Sequence, residues 1–336
     1  MTNNIDLAIV GANTLAGETV LSLLPERDFP LGRLFTVDDG HDTASHVEFK
    51  DEPIVLEALA DFNFEQVQVA IFLTDAAASG EFAPKATQCG CIVIDSSGAF
   101  NHDPLVPLVI AGVNDEHVDE FRESMIIATP SSATVQLLTV LKPIYDEAGI
   151  VAMSVTGLLP ASQAGKAGQE ELGLQTANLL NFKDIETHVF PGQLAFNVLG
   201  QAGEPSEDGF SAEERRLMQE TQKILGDDRI AMQVTMLQVP VFFGSGEVVH
   251  LQTRDYLMAD GARVLLENSP AIELLQASVT PSVLNVTGKD RVFVGRIRDD
   301  MGLDNGISLW IMVDNIRRGI AINSVQIAEI LVKDYL

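Results

Sequence analysis

Short apolar runs alternate with amphipathic stretches through the first 130 residues of the chain. Runs of strand length occur at 5–10, 34–37 and 69–73, and residues 17–24 have the apolar spacing of a helix. The same alternation continues with a helical stretch and two further strand-like runs, at 81–89, 92–95 and 125–128. A parallel sheet with crossover helices produces this order, so we predict an α/β fold with a Rossmann-type domain over 1–131.

The pattern changes at residue 132. A helix is predicted from 133 to about 141, where Pro143 ends it. The longer strand candidates that follow, many with period-two alternation, lie at 151–158, 231–241, 248–253, 291–297 and 307–313. They predict a mixed sheet in an α+β domain over 132–315. Apolar residues at helical spacing in 320–332 predict that 316–336 completes the first domain.

Acidic residues outnumber basic ones, 48 against 21, which gives the chain a formal net charge of −27. This charge repels phosphate backbones and anionic lipid headgroups, so we expect neither nucleic acid nor a membrane as a partner. No segment reaches the ~20 apolar residues of a membrane span. No basic region precedes an apolar run at the N-terminus either, so we expect a cytoplasmic protein.

The two cysteines, Cys89 and Cys91, lie one residue apart. No further cysteine or histidine stands at ligand spacing, so we predict no metal site and interpret the pair as small buried hydrophobes. Without a disulfide framework, the chain fits a reducing compartment.

A glycine-bounded turn at 9–18 directly follows a predicted strand and precedes a predicted helix. Backbone amides in such a turn bind the pyrophosphate of a dinucleotide. Thr14 stands where these turns carry their middle glycine, so its side chain would either obstruct the cofactor or donate a hydroxyl to it. The residues that we assign to cofactor binding in this turn are Gly11, Thr14, Leu15, Ala16 and Gly17.

Two acidic residues, Asp38 and Asp39, follow the second predicted strand about 20 residues beyond Gly17. Carboxylates at this point accept hydrogen bonds from the adenosine ribose and repel a 2′-phosphate, which favours NAD over NADP as the cofactor. Two alternatives stay open. The chain binds NADP, or residues 38–42 form a solvated acidic turn and neither cofactor binds.

The segment at 126–138 reads Ile-Ile-Ala-Thr-Pro-Ser-Ser-Ala-Thr-Val-Gln-Leu-Leu. It resembles the active-site segment of aspartate-semialdehyde dehydrogenases, which reads Asn-Pro-Asn-Cys-Ser/Thr-Thr-Ile-Gln. Further blocks carry the resemblance along the chain, at 81–85, 93–100, 164–172, 195–198 and 314–319. The resemblance implies an NAD(P)-binding domain, a dimerisation domain that makes the protein a homodimer, and a link to amino-acid biosynthesis.

Residues that carry the chemistry of that family are replaced here. Ser132 aligns with the cysteine nucleophile and Ser131 with an asparagine. A second motif, at 238–247, resembles the family's Arg-Val-Pro-Val-x-x-Gly-His-Ser-Glu. It places Gln238 at the arginine that holds the substrate carboxylate and Ser245 at the histidine base. The resemblance therefore implies a site without its nucleophile, its base and one substrate-binding charge.

Four more positions belong to the substrate pocket that the resemblance implies. Asn101 replaces a second anion-binding arginine, and Leu159 replaces a glutamine. Glu213 matches, and Arg216 stands in place of a lysine, as the remaining substrate and phosphate contacts. An ordinary charged helix face would also explain these last two residues and stays open as an alternative.

Serine does not take over the role of the cysteine without help. A thiol at a helix N-terminus beside an imidazolium ionises near neutrality, whereas a hydroxyl needs a histidine to remove its proton. His250 lies five residues past Ser245 on a predicted strand and should project to the opposite face. His102 is therefore the candidate for a dyad with Ser132.

Three functions are compatible with these replacements. The first is a noncatalytic paralogue of the Usg-type subgroup, which lacks the catalytic cysteine and acts by association with itself or with an active relative. The second is an NAD(P)-dependent oxidoreductase on a different, less anionic aldehyde, which the glycine-bounded turn favours. The third is a hydrolase with Ser132 as its nucleophile. We expect the first, without the parent activity.

Overall fold

The computed structural model describes residues 4–40 and 46–336. The chain divides into two compact units, one of Met1–Ser131 with Ile320–Leu336 and the other of Ser132–Gly319. None of the helices in the described ranges is long and apolar enough to cross a bilayer.

Strands and helices alternate along the first unit except at β2–β5, where four strands follow one another. Its strands are β1 Ile5–Val10, β2 Leu31–Asp38, β3 His46–Phe49, β4 Glu52–Val55, β5 Glu57–Ala58, β6 Val69–Phe72, β7 Ile92–Asp95 and β8 Ile126–Ala128. Its helices are α1 Leu15–Glu26, α2 Ala76–Gln88 and the C-terminal helix Asn323–Asp334, with short 3-10 segments at Leu59–Asp61, Phe64–Gln66 and Asp115–Glu123.

One parallel sheet runs through this unit in the order β5-β2-β1-β6-β7-β8. Strands β3 and β4 pair as a separate antiparallel hairpin. The central strands are mainly apolar, with Leu7, Ile9, Ile71 and Ile94 fully buried. Such continuous burial is typical of a parallel sheet that is covered on both faces.

The C-terminal helix is fixed to the first unit by the buried side chain of Asn323. This amide accepts a hydrogen bond from the N–H of Ala111 at 2.8 Å and donates one to the carbonyl of Val109 at 3.0 Å. Further along the helix, Glu329 pairs at 2.7 Å with Arg27, the residue directly after α1. A buried amide that bonds at both ends fixes the position at which the helix starts.

Longer strands and helices make up the second unit. Its helices are α3 Ser132–Ala148, α4 Gly165–Leu180, α5 Ala212–Leu225 and α6 Ala259–Glu267, with 3-10 segments at Ala161–Ala164 and Val283–Asn285. Its strands are β9 Ile150–Leu159, β10 Ala231–Gln238, β11 Ser245–Thr253, β12 Ile272–Leu274, β13 Val292–Asp299 and β14 Gly306–Val313. A π-helical segment, Arg317–Ile322, precedes the C-terminal helix.

The sheet of the second unit is mixed, in the order β10-β9-β11-β14-β13-β12. Strand β10 is parallel to β9 and β12 is parallel to β13, whereas β11 is antiparallel to both of its neighbours and β13 is antiparallel to β14. The parallel sheet of the first unit and this mixed sheet confirm the predicted fold class.

Helix α3 continues past the point where the sequence pattern predicted its end. It includes Pro143 and stops only at Ala148. Proline in a helix interior removes one backbone hydrogen bond at a cost of about 3 kcal/mol. Leu137, Leu141 and Ile144 are fully buried in the core of this unit, and the packing of this apolar face offsets the cost.

Candidate active site and cofactor loop

The turn between β1 and α1 is built so tightly that two of its positions require glycine. Gly11 has a φ of +81°, and a Cβ added to it would lie 2.8 Å from the carbonyl oxygen of Leu73. A Cβ on Gly17 would lie 2.2 Å from the carbonyl oxygen of Gly11. The glycines predicted from sequence therefore allow the start of α1 to approach the preceding turn closely.

Thr14 caps helix α1 and folds its hydroxyl into the turn. Its Oγ1 accepts a hydrogen bond from the N–H of Gly17 at 3.0 Å and donates one to the carbonyl of Gly11 at 2.8 Å. Sequence reasoning gave this side chain two roles, obstruction of a cofactor or donation to it. The structure gives the hydroxyl a third role, as the N-cap of the helix.

Three backbone amides at the same turn are available to an anion. The N–H groups of Asn13, Leu15 and Ala16 have no hydrogen-bond acceptor among the described residues. They lie at the positive end of the α1 dipole, where phosphate groups bind to helices. The residues present therefore fit the pyrophosphate of a dinucleotide.

Asp38 ends strand β2 next to this turn, because the carbonyl of Val37 accepts the N–H of Gly11 at 2.8 Å. Burial raises the pKa of Asp38, and the backbone N–H of Gly40 opposes the rise. Asp39 is half-buried. Residues 41 and 42 of the predicted acidic turn lie outside the described residues.

Asn101 and Ser131 also belong to the first unit, and both are buried. Asn101 follows β7, in a bend where its N–H reaches the carbonyl of Gly98. Its neighbour His102, proposed from sequence as a partner for a serine nucleophile, is exposed at the surface of this unit.

Ser132 is the first residue of α3 and is 2% exposed. Its Oγ donates to the side-chain carbonyl of Gln163 at 3.4 Å. A Cβ on Gly319 would lie 2.5 Å from the Cβ of Ser132, so only glycine fits there. Sequence reasoning missed Gln163, because nothing in its local pattern points toward Ser132.

Ser245 begins β11 and is fully buried. Its Oγ donates to the side-chain carbonyl of Gln136 at 3.1 Å. Gln136 lies four residues after Ser132 on α3, so the two project from the same face of the helix. Both serines are therefore connected to the start of α3. Ser132 is the first residue of the helix, and Ser245 is hydrogen-bonded to Gln136 in its second turn.

Glu247 lies two residues beyond Ser245 on β11 and is fully buried. Burial raises its pKa to about 8, and the amide of Gln136 opposes the rise only in part. Neither carboxylate oxygen has a hydrogen bond of ordinary geometry in the described part of the chain. A carboxyl in these surroundings is mostly protonated at neutral pH.

Three of the predicted pocket residues line one cavity of about 470 Å³ in the second unit: Leu159, Glu213 and Gln238. Gln238 donates through Nε2 to the carbonyl of Leu159 at 3.0 Å. Burial raises the pKa of Glu213, and Arg216 opposes that rise. Arg216 itself forms an ion pair with Glu220 at 2.7 Å.

The two histidines of the second unit are bonded elsewhere. His250 contacts Asp300 at 2.8 Å and Ser308 at 2.9 Å, both through Nδ1. His188 contacts Glu186 at 3.2 Å, and its side chain is 75% exposed. Among the described residues, no three or more His, Cys, Asp and Glu side chains are grouped to hold a metal ion.

Comparison with known proteins assigns both units to one family. The family described as semialdehyde dehydrogenase, NAD binding domain, matches residues 6–121. The family described as semialdehyde dehydrogenase, dimerisation domain, matches residues 141–318. The dimerisation domain implies a homodimer.

Relatives match over their whole length. Aspartate-semialdehyde dehydrogenase 2 of Vibrio cholerae is 41% identical over 336 residues, which are 100% of both chains. The crystal structure of aspartate semialdehyde dehydrogenase II from Vibrio cholerae complexed with ASA superimposes with a TM-score of 0.97 at 40% identity, over 99% of this chain and 100% of that one. A probable aspartate-semialdehyde dehydrogenase from Pseudomonas aeruginosa gives a TM-score of 0.93 at 34% identity, over 99% and 100% of the two chains. The chain therefore belongs to the aspartate-semialdehyde dehydrogenase family.

Proposed function

We propose that this family member is a Usg-type paralogue that does not catalyse the parent reaction, the oxidation of aspartate semialdehyde with a nicotinamide cofactor. The observation that carries the proposal is the bonding of the two serines. Ser132 and Ser245 each donate to a side-chain amide, of Gln163 and Gln136 respectively. A neutral amide carbonyl does not accept the proton of an attacking hydroxyl, so neither serine is activated as a nucleophile.

Other residues of the second unit do not make up for the replacements. Both cysteines of the chain, Cys89 and Cys91, lie outside Ser132–Gly319. Burial raises the pKa of Cys91 to about 12, which keeps it a thiol. The bonding of Ser132 to an amide also leaves the hydrolase hypothesis without support, since a serine hydrolase needs a base beside its hydroxyl.

The replacement of two arginines by Asn101 and Gln238 also argues against the parent reaction. With Asn101 and Gln238 at positions where the family carries anion-binding arginines, an anionic substrate loses two bidentate, charge-assisted contacts. Ser131 and Leu159, at two further pocket positions, are an alcohol and a hydrocarbon. We propose that these sites no longer hold aspartate semialdehyde in a reactive position.

Purified protein with aspartate semialdehyde, phosphate and either nicotinamide cofactor should produce no reduced cofactor. The variant Ser132→Cys, Ser245→His, Asn101→Arg, Gln238→Arg should gain turnover of at least ~10⁴-fold, because nucleophile and base each contribute large factors. The double variant Asn101→Arg, Gln238→Arg is the matched control and should stay inactive. Turnover by the unchanged protein would rule the proposal out.

We propose that the first unit still binds a nicotinamide cofactor, with NAD preferred over NADP. The free N–H groups at Asn13, Leu15 and Ala16 support pyrophosphate binding. Asp38, at the end of β2, would accept hydrogen bonds from the ribose. A bound nicotinamide supplies a hydride acceptor, and the chain's own contribution is to hold the dinucleotide at the α1 turn.

The intact turn also favours a second function, an NAD(P)-dependent oxidoreductase on a different and less anionic aldehyde. Gly11 and Gly17 of this turn make contacts that only glycine allows. A turn that no longer bound an anion would not be expected to keep both glycines. A protein that binds neither NAD nor NADP at millimolar concentration would exclude this alternative.

A further inference from the structure

Another cavity of the second unit, of about 320 Å³, lies against strands β13 and β14 and carries positive charge. Arg296, Arg298 and Trp310 are among its lining residues. No aspartate or glutamate lines it. Two arginines thus meet at one cavity in a chain whose formal net charge is −27.

A β-bulge in β13 places both arginines at this cavity. Gly295 pairs with Trp310 of β14. Arg298, three residues later, pairs with Ser308, so two residues of β13 lie opposite one residue of β14. Residues three apart on a regular strand point to opposite faces, whereas the bulge brings Arg298 to the face that carries Trp310. Arg296 lies within the bulge with a φ of +53°, in the left-handed region that favours glycine.

Neither arginine is neutralised by a carboxylate of the described residues. Arg298 donates one hydrogen bond, from Nη1 to the carbonyl oxygen of Arg296 at 3.1 Å. The side chain of Arg296 makes no hydrogen bond or ion pair with any described residue. Both side chains are exposed, so a ligand in solution can reach them. Each guanidinium is a planar fork of N–H donors that matches the geometry of a carboxylate or a phosphate.

Trp310 carries a third donor on the wall of the cavity. Its indole Nε1 is buried and has no acceptor within the described part of the chain. A buried N–H without an acceptor costs free energy, because its hydrogen bond to water is lost on folding. An oxygen atom of a ligand seated against the ring would supply that acceptor.

We infer that this cavity binds a small organic oxyanion, a carboxylate or a phosphate monoester on a short apolar chain, through Arg296 and Arg298. Arginine holds either group by two parallel, charge-assisted hydrogen bonds. Val248, Pro281 and Leu309 add apolar lining for the carbon chain. A volume of about 320 Å³ suits a small metabolite.

The cavity goes beyond the residues of the proposed function. Ser245 and Val248 lie three residues apart on β11, so they project to opposite faces of the sheet. Ser245 is bonded to Gln136 of α3, whereas Val248 lines the cavity. Turnover of aspartate semialdehyde and binding of an oxyanion are therefore measured separately, and either proposal can fail alone.

Trp310 is the only tryptophan of the chain, so tryptophan fluorescence reports on this cavity. The probes are butyl phosphate, pentanoate and pentan-1-ol, which has the carbon chain of pentanoate without its charge. Titration at constant ionic strength should show each anion binding at least about tenfold tighter than the alcohol, since one charge-assisted hydrogen bond is worth that much. The tighter of the two anions identifies the preferred oxyanion. Ligand-observed NMR repeats the measurement without relying on a change in fluorescence.

Two variants test the assigned residues. Arg296→Gln and Arg298→Gln each keep an amide donor and remove the charge, so each should weaken binding of the anions at least about tenfold. Arg291→Gln makes the same change of charge at an exposed position outside the cavity and should leave the affinity unchanged. A thermal melt of each variant separates loss of the fold from loss of the ligand.

Three results would overturn the inference: binding of pentan-1-ol as tight as that of the anions, no binding of either anion at millimolar concentration, or an equal loss of affinity in Arg291→Gln. Sedimentation of the same variants tests a second copy of the chain as the alternative occupant of the cavity. Conversion of a dimer to monomers by Arg296→Gln or Arg298→Gln would assign the arginines to that contact and would also overturn the inference.

Discussion

Ser132 differs from cysteine by one atom, and that atom decides what the N-terminus of α3 can do. A helix N-terminus stabilises a nearby anion, and with a thiol it lowers a pKa of ~8.5 toward neutrality. The hydroxyl of serine ionises far too weakly for the same field to matter at neutral pH. The hydrogen bond of Ser132 to the carbonyl of Gln163 is the contact of a neutral donor.

Glu247 is the second residue whose chemistry is set by its surroundings. Its pKa of about 8 in the folded protein lies above the ordinary value of 4.5, because burial penalises the charged form. The folded chain therefore holds a proton that the unfolded chain releases. The resulting stability is fully present below pH ~4.5 and is lost as the pH rises toward ~8.

The free energy of unfolding should accordingly fall between pH 5 and pH 8, by up to about 1.4 kcal/mol per pH unit from this group. Glu247→Gln removes the titration and should flatten this slope. Urea unfolding at pH 5, 6.5 and 8 measures it. Exposed Glu207→Gln provides the control, and parallel curves for Glu247→Gln and the unchanged protein would show that the carboxyl does not titrate in this range.

At the scale of elements, the turn before α1 combines the N-cap of the helix with backbone amides that we propose bind an anion. Thr14 satisfies the Gly17 N–H, so the helix start does not depend on a cofactor for that bond. The N–H groups of Asn13, Leu15 and Ala16 have no acceptor among the described residues, and we propose that they bind a phosphate. In this proposal, one backbone amide of the turn stabilises the helix and three others bind the cofactor.

Calorimetry on the dialysed protein should show NAD binding more tightly than NADP, because a 2′-phosphate would approach the carboxylate of Asp38. Asp38→Asn keeps the shape of the side chain and removes its charge, so the preference should drop about tenfold. Asp61→Asn, at an exposed position of the same unit, should leave it unchanged. If neither cofactor bound, the turn would have lost its role in cofactor binding.

At the scale of the whole molecule, the net charge of −27 acts against any association of two copies. The dimerisation domain implies a homodimer nevertheless, so apolar and hydrogen-bonded contacts must outweigh the repulsion. Salt screens charges over about 10 Å at 0.1 M ionic strength. The dimer should therefore become tighter as salt is added.

Sedimentation at several protein concentrations should show a dimer whose dissociation constant falls between low and moderate salt. We also propose association with an active relative, which the shared dimerisation domain supports. Co-expression with a tagged active relative, followed by purification on the tag, should recover both chains. Recovery of the tagged chain alone would limit the protein to self-association.

Much of the architecture could be predicted because the hydrophobic period changes from one unit to the next. Buried parallel strands such as Ile5–Val10 appear as apolar runs, interrupted in this strand only by Asp6, and the long strands of the second unit alternate. The end of α3 was predicted too early, at Pro143. The prediction used the local cost of proline in a helix, but it could not include the packing of the helix against the core. The short hairpin of β3 and β4 lacked a clear pattern and was missed.

The sequence by itself determined that serine stands at 132 and at 245, the positions that we propose correspond to the family's nucleophile and base, since residue identity does not depend on folding. It also determined the glycines of the α1 turn, whose spacing is local. Only the tertiary structure decided that Gln163 reaches Ser132, that Gln136 joins Ser245 to the same helix, and that Gln238 and Glu213 line one cavity. These contacts join residues distant in the chain, and their hydrogen bonds and burial arise only when the strands and helices pack.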